Sequence, residues 1–211
     1  MRRARRWHYA AVPATAALLS LWLAVGAAWI PLKAGLAQWL LERSWRATLA
    51  GGPPQPPWPW ADTAVTAELS VPARGVRLLV LSGNSSRNLA FGPVLLDGSG
   101  GGGDLVINGH RDTHFRFLRE LQRGDLLRLS DHDGSRWYAV RNLEVVDSRS
   151  HELVVNHSAE RVSLVTCYPF DSPDAGGPLR YVVTAYPLPN VVEWGRAAGP
   201  GELSPRWPSS G

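Results

Sequence analysis

The sequence of 211 residues predicts a mainly β protein, a closed or nearly closed barrel of seven or eight short strands with one short helix, preceded by an N-terminal transmembrane helix. Three observations predict it. From about Thr66, β-rich runs of four to six residues alternate with turn residues, as strands do. Upstream, Tyr9 to Leu32 is a span of 24 positions without a charged residue, long enough to cross a bilayer. Between these regions, Pro53-Pro54-Gln55-Pro56-Pro57-Trp58-Pro59-Trp60 bars helix, because proline lacks the amide donor and restricts the residue before it.

The order of elements follows from these signals. Residues 1–8 form a basic arm whose arginines favour a cytoplasmic N-terminus, and residues 9–32 form the anchor. A cleaved signal peptide competes with the anchor, since Val25-Gly26-Ala27-Ala28 offers small residues to a peptidase. In residues 33–50, Leu36, Trp39, Leu40, Arg43 and Ala47 recur at the helical period and predict a juxtamembrane helix ending at Gly51-Gly52. Residues 51–61 are a Pro/Trp-rich linker that holds the domain off the membrane or packs along its surface.

Residues 62–190 then form the folded domain, and residues 191–211 a loose tail. Strands are expected near Ala67–Val71, Arg77–Leu81, Leu105–Asn108, Leu126–Ser130, Arg136–Arg141, Leu143–Asp147, Arg161–Thr166 and Arg180–Ala185. Asp131-His132-Asp133-Gly134 reads as a hairpin turn, and Thr113–Leu121 as a short helix with Phe117, Leu118 and Leu121 on one face. The glycine tract from Gly98 to Gly103 lacks the following Gly-Lys-Ser/Thr of a phosphate loop and reads as a flexible connection.

Charge argues against nucleic acid as a partner. The net charge of +4 is matched by Arg2, Arg3, Arg5 and Arg6, leaving a neutral body with scattered arginines and no surface for tracking phosphates. One cysteine makes no internal disulfide, so Cys167 is a free thiol that needs an explanation.

As a lone residue Cys167 would be read as a small buried hydrophobe. Its setting points to chemistry instead, because three strand ends each deliver one reactive side chain: His110, Cys167 and Arg180. A thiol attacks a carbonyl as thiolate and needs a base or cation beside it, which His110 supplies. Arg180 carries a fixed fork of donors suited to an oxyanion. His8, His132, His151 and His157 lie in the arm, a turn and a polar loop. His114 is the rival, since H-x3-H on a helix with Cys167 would suggest a metal site, but Asn108-Gly109 breaks any helix before His110. Thr166 alternates away from Cys167, toward a substrate-pocket or packing role. Asp112 reads as a cap, Asp171 and Asp174 as turn formers.

These residues resemble a known family. Leu164-Val165-Thr166-Cys167 is similar to the T-L-x-T-C signature of sortases, with Ser163 where the first threonine usually stands. His110 in Asn108-Gly109-His110-Arg111-Asp112 and Arg180 opening the strand after the cysteine match the family's other marks, and the resemblance runs from about Asp62 to Pro187. Trp58-Pro59-Trp60-Ala61-Asp62-Thr63, Gly109 to Phe115 and Thr166 to Asp171 resemble in particular the Gram-negative, class GN sortases, as does the stretch from Lys33 to Trp45.

The resemblance implies a sortase-like eight-stranded closed β-barrel and a membrane-tethered transpeptidase. Cys167 would attack an LPXTG-like signal near the C-terminus of an exported partner, His110 would serve as acid and base, and Arg180 would hold substrate and oxyanion. The amine acceptor is left open, the location implied is the periplasmic face of the inner membrane, and no cofactor is required. Calcium is undecided, the sole acidic turn being Asp131-His132-Asp133. Three other readings remain at this level: a thiol hydrolase or processing peptidase, a non-catalytic membrane-tethered peptide-binding β-barrel, and a metal enzyme using His110, His114 and Cys167.

Overall fold

A computed structural model describes residues 2–83, 85–99, 103–150, 160–172 and 177–189, with side chains from residue 15 onward. The side chains of the basic arm, His151, His157, Asp174 and the tail from residue 191 lie outside the described residues. One helix, α1 (Arg2–Leu49), precedes eight strands: β1 (Val65–Val71), β2 (Val76–Leu81), β3 (Val94–Leu95), β4 (Asp104–Asn108), β5 (Leu126–Ser130), β6 (Ser135–Asp147), β7 (Arg161–Cys167) and β8 (Leu179–Pro187). They close into a barrel in the order β1-β2-β3-β4-β7-β8-β6-β5. The β2–β3 and β4–β7 pairs are parallel and the other pairs antiparallel.

Alternation fixes what faces inward. Val162 and Leu164 of β7 enter the main core beside Leu69, Ile107, Leu127 and Val183, while Val165 faces the opposite side. There it forms a smaller cluster with Val106 of β4 and Val182 of β8, against which Leu96 and Val146 pack. β7 is therefore covered on both faces, which explains why Val162-Ser163-Leu164-Val165-Thr166 reads as an unbroken buried run.

Two strand expectations change. Arg136–Arg141 and Leu143–Asp147 are one strand, β6, whose register shifts between Val140 and Asn142, so a bulge replaces the expected break. β3, only two residues long, carries too little pattern to be seen in sequence, yet it bridges β2 to β4. The expected helix over Thr113–Leu121 is a shorter 3-10 turn, Arg116–Glu120. Its apolar residues still serve the core: Leu118 is fully buried, Leu121 nearly so, and Phe117 packs against them.

The juxtamembrane stretch does not form a separate helix. α1 continues without interruption from the apolar span to Leu49, and its part from Thr15 onward is long and apolar enough to cross a membrane. Its buried stripe is Ala37, Leu41, Ser44, Trp45 and Thr48, offset from the face expected from spacing, since Leu36 and Trp39 are exposed. Leu41 and Trp45 pack with Val65, Leu79, Leu81 and Val94 of the barrel. Arg77 of β2 pairs with Glu42, Gln38 donates to the Phe91 carbonyl at 2.7 Å, and Ser44 donates to the Gln55 carbonyl at 2.6 Å. Within the linker Trp58 is half-buried, edge-on to Phe91 at 5.1 Å, while Trp60 is exposed.

Candidate active site

The parallel register of β4 and β7 builds the site. Asp104 lies opposite Arg161, and each successive pair keeps the same separation of 57 positions, through Asn108 opposite Val165. His110 and Cys167 are 57 positions apart, so both stand where that register runs off the ends of the two strands. The Gly109 amide donates to the Val165 carbonyl at 3.1 Å, and the Thr166 hydroxyl donates to the Gly109 carbonyl at 2.7 Å, carrying the pairing up to the residue before His110. On the other side Cys167 of β7 lies directly opposite Arg180 of β8. Thiol and guanidinium thus face each other on adjacent strands, and the imidazole follows two residues past the end of β4.

Cys167 is a half-buried free thiol and His110 is exposed. By alternation Cys167 shares its face with Val165, so the Val106, Val165 and Val182 cluster lies one row beneath the three side chains. The Arg180 Nη1 donates to the carbonyls of Gly177 and Leu179, at 2.5 and 2.9 Å. Thr166 points the other way, into the core, and is buried. Of its two expected roles the structure provides the packing one: its hydroxyl holds the backbone that presents His110.

Gly109 has no room for a side chain. A Cβ there would lie 2.6 Å from the ring of Phe115, which is fully buried in the core, and the Phe115 amide donates to the His110 carbonyl at 3.0 Å. Phe115 therefore seats the segment that carries His110.

Several residues escaped the sequence reading. Arg111, only 6% exposed, donates from Nη1 to the Pro169 carbonyl at 2.7 Å, from Nη2 to the Ser172 carbonyl at 2.9 Å, and from Nε to Asp112 Oδ1 at 3.0 Å. Tyr168 and Tyr181 stack at 6.1 Å with Phe170 edge-on to both, so the chain leaving Cys167 is anchored by aromatic packing. Asp104 is fully buried and accepts Arg161 and the Ser163 hydroxyl, the latter at 2.9 Å. Ser163 retains the hydroxyl of the threonine it replaces in the signature, and this bond uses it. Adjacency to His110 was the available signal for Arg111; nothing local marked Asp104.

Electrostatics around His110 follow from these contacts. Hydrogen bonding to Arg111 holds the Asp112 carboxyl below its ordinary value, and the charges of His110 and Arg116 act the same way. His114 is lowered, first by burial and then by the charge of His110. Neither His110 nor His114 lies in the 3-10 turn, which begins at Arg116. Among the described residues, a group spaced to share an ion is Asp131, His132 and Asp133, all exposed. The Asp131 Oδ1 in that group accepts the amides of Asp133 and Gly134, at 2.9 and 3.0 Å, and so makes the hairpin turn.

Comparison with known proteins places the barrel domain in a family. The family model for the sortase domain matches residues 69–188, more than half of the chain. Sortase D of Bacillus subtilis (strain 168) is 39% identical over 82 residues, covering 38% of this chain and 41% of that protein. Sortase A of Bacillus anthracis is 27% identical over 109 residues, covering 49% and 52%. The chain thus spans about half the length of the curated relatives it matches. Among solved structures, a Sortase D5 transpeptidase of Clostridium perfringens aligns with a TM-score of 0.59 at 18% identity, over 73% of this chain and 99% of that one. Sortase A from Corynebacterium diphtheriae aligns with a TM-score of 0.54 at 23% identity, over 73% and 86%. The barrel, its strand order and the matched domain together make this chain a member of the sortase family.

Proposed function

We propose that the chain is a membrane-anchored cysteine transpeptidase that cleaves an LPXTG-like sorting signal of an exported partner and passes the acyl group to an amine. The observation that carries this reading is Cys167 of β7 opposite Arg180 of β8, with His110 just past the end of β4 where Gly109 is bonded to Val165 and Thr166. Membership of a family of cysteine transpeptidases supports it.

In the proposed reaction the Cys167 Sγ attacks the scissile carbonyl carbon, and Arg180 donates to the developing oxyanion. His110 gives its proton to the leaving amine as the C–N bond breaks, leaving a thioester on Cys167. An incoming amine attacks that thioester, His110 takes the amine's proton, and the Cys167 thiolate departs. No metal or other cofactor enters either half-reaction, and no calcium requirement is proposed.

The proposal also covers placement. α1 anchors the enzyme in the inner membrane with its N-terminus cytoplasmic and its barrel in the periplasm, as in the class GN sortases the motifs resemble. The partner is an exported protein still held at that membrane by its C-terminal signal.

The test is intact-mass spectrometry of the full chain in detergent, incubated with an LPXTG-type peptide with and without a small amine. A thioester on Cys167, converted to amide product only when amine is present, is the expected result. Resolution by water despite abundant amine would assign hydrolysis instead. The absence of any adduct would leave a peptide-binding barrel.

A further inference from the structure

Arg111 follows the proposed base directly, yet it is buried and directed away from solvent. The carbonyls it grips belong to Pro169 and Ser172, two and five residues past Cys167. Its Nε and Nη2 edge also engages both oxygens of Asp112, at 3.0 and 3.3 Å, so the guanidinium ties two backbone carbonyls after Cys167 to the carboxylate that follows it. The parallel ladder has ended by this point: Asn108 and Val165 are the last paired residues, and Gly109 makes the last backbone bond across it. Beyond that, Arg111 joins the segment after β4 to the backbone of the segment after β7, and a more exposed ion pair between Arg119 and Asp171 at 3.2 Å joins them by side chains.

We infer that Arg111 is a positioning residue for the proposed His110 and Cys167 pair, clamping the two segments that carry them. A guanidinium suits this task better than an ammonium, because its planar fork serves two divergent carbonyls and a carboxylate at once. The other charged and titratable groups around the pair are Arg180 on β8, Asp112, His114 and Arg116 after β4, and Tyr168 after β7. Arg111 differs from Arg180 in being locked by hydrogen bonds on both sides of the site.

The inference rests on the reading of Cys167 and His110 as the working pair, so the experiment separates the two. Peptide transfer is measured in the full chain in detergent for the wild type, H110A, R111Q and R111K, with thermal unfolding followed alongside. R111Q and R111K are both expected to lose transfer kcat by at least about tenfold with KM nearly unchanged, because the fork is gone in each. R111K at full kcat, or a loss that lies in KM alone, overturns the inference. Should R111Q not fold, the R111K kcat decides alone. H110A at full kcat would instead overturn the underlying pair.

Discussion

Asp104 on β4 accepts both Nε and Nη2 of Arg161 on β7, at 2.9 and 2.7 Å, and so pins their parallel register at the end opposite His110 and Cys167. A slip of one residue would turn Cys167 into the core, and a slip of two would break this buried pair. Replacing Asp104 with alanine should cost roughly 3 kcal/mol, since Arg161 and the Ser163 hydroxyl both lose their acceptor. Ser163→Ala should cost about 1 kcal/mol and Ser163→Thr much less. Thermal unfolding of the three variants checks the order.

Gly109→Ala forces a methyl into the Phe115 ring. The expected cost is about 1–3 kcal/mol with a fall in transfer rate, because relief of the clash moves the segment bearing His110. Phe115→Leu in the Gly109→Ala background should recover part of both losses, whereas alone it only destabilises. A double-mutant cycle in stability and kcat reads the coupling.

Trp45→Ala should cost roughly 3–5 kcal/mol, as expected for an aromatic side chain lost from a packed interior. A chain starting at Asp62 would also expose Val65, Leu79, Leu81 and Val94. Its melting temperature should fall well below that of a chain retaining Ala37 to Thr48, measured side by side.

The His114 shift predicts a pH dependence of stability. Burial favours the neutral ring, so its folded pKa lies below the ordinary 6.5. The folded state then keeps its full stability where the ring is neutral in both states, above 6.5, and loses it as pH falls from there through the folded value. H114Q should flatten that loss in melting scans. Asp112, also lowered, acts in a more acidic window: its contribution is present above the ordinary 3.8 and vanishes as pH falls through the folded value. D112N should therefore leave the His114 window unaltered.

Chelation tests the absence of a metal from the proposed chemistry. Overnight exposure to EDTA should leave both Cys167 alkylation and peptide transfer unchanged. A loss restored by zinc would favour the reading through His110, His114 and Cys167.

The site was legible in sequence wherever residue type and chemistry coincide. A free thiol, a histidine after a strand and an arginine opening the next strand each sit at a strand end, and the fold brings them to one rim. The signature run of β7 was readable because both its faces are buried. What escaped depends on partners distant in sequence. Asp104 has no local mark, since its meaning comes from Arg161 and Ser163 far along the chain. Arg111 looks like any surface arginine until Pro169 and Ser172 fold over it. Leu41 and Trp45 lie one position off the face that spacing suggested, because periodicity reports an apolar stripe without saying whether lipid or protein covers it.

Since α1 passes from its apolar span to the barrel as a single rod, reach becomes a property of the enzyme. Leu32 to Leu41 is nine residues, a rise of about 14 Å along a helix, and no flexible joint lies between them. With the span set in a bilayer, Cys167 rides at a fixed altitude and bearing above the lipid, like a tool on a mast. Under the proposed function, a sorting signal would then be selected by how far its scissile bond stands from the membrane as well as by its residues. Inserting two glycines between Leu32 and Ala37 would turn that mast into a tether.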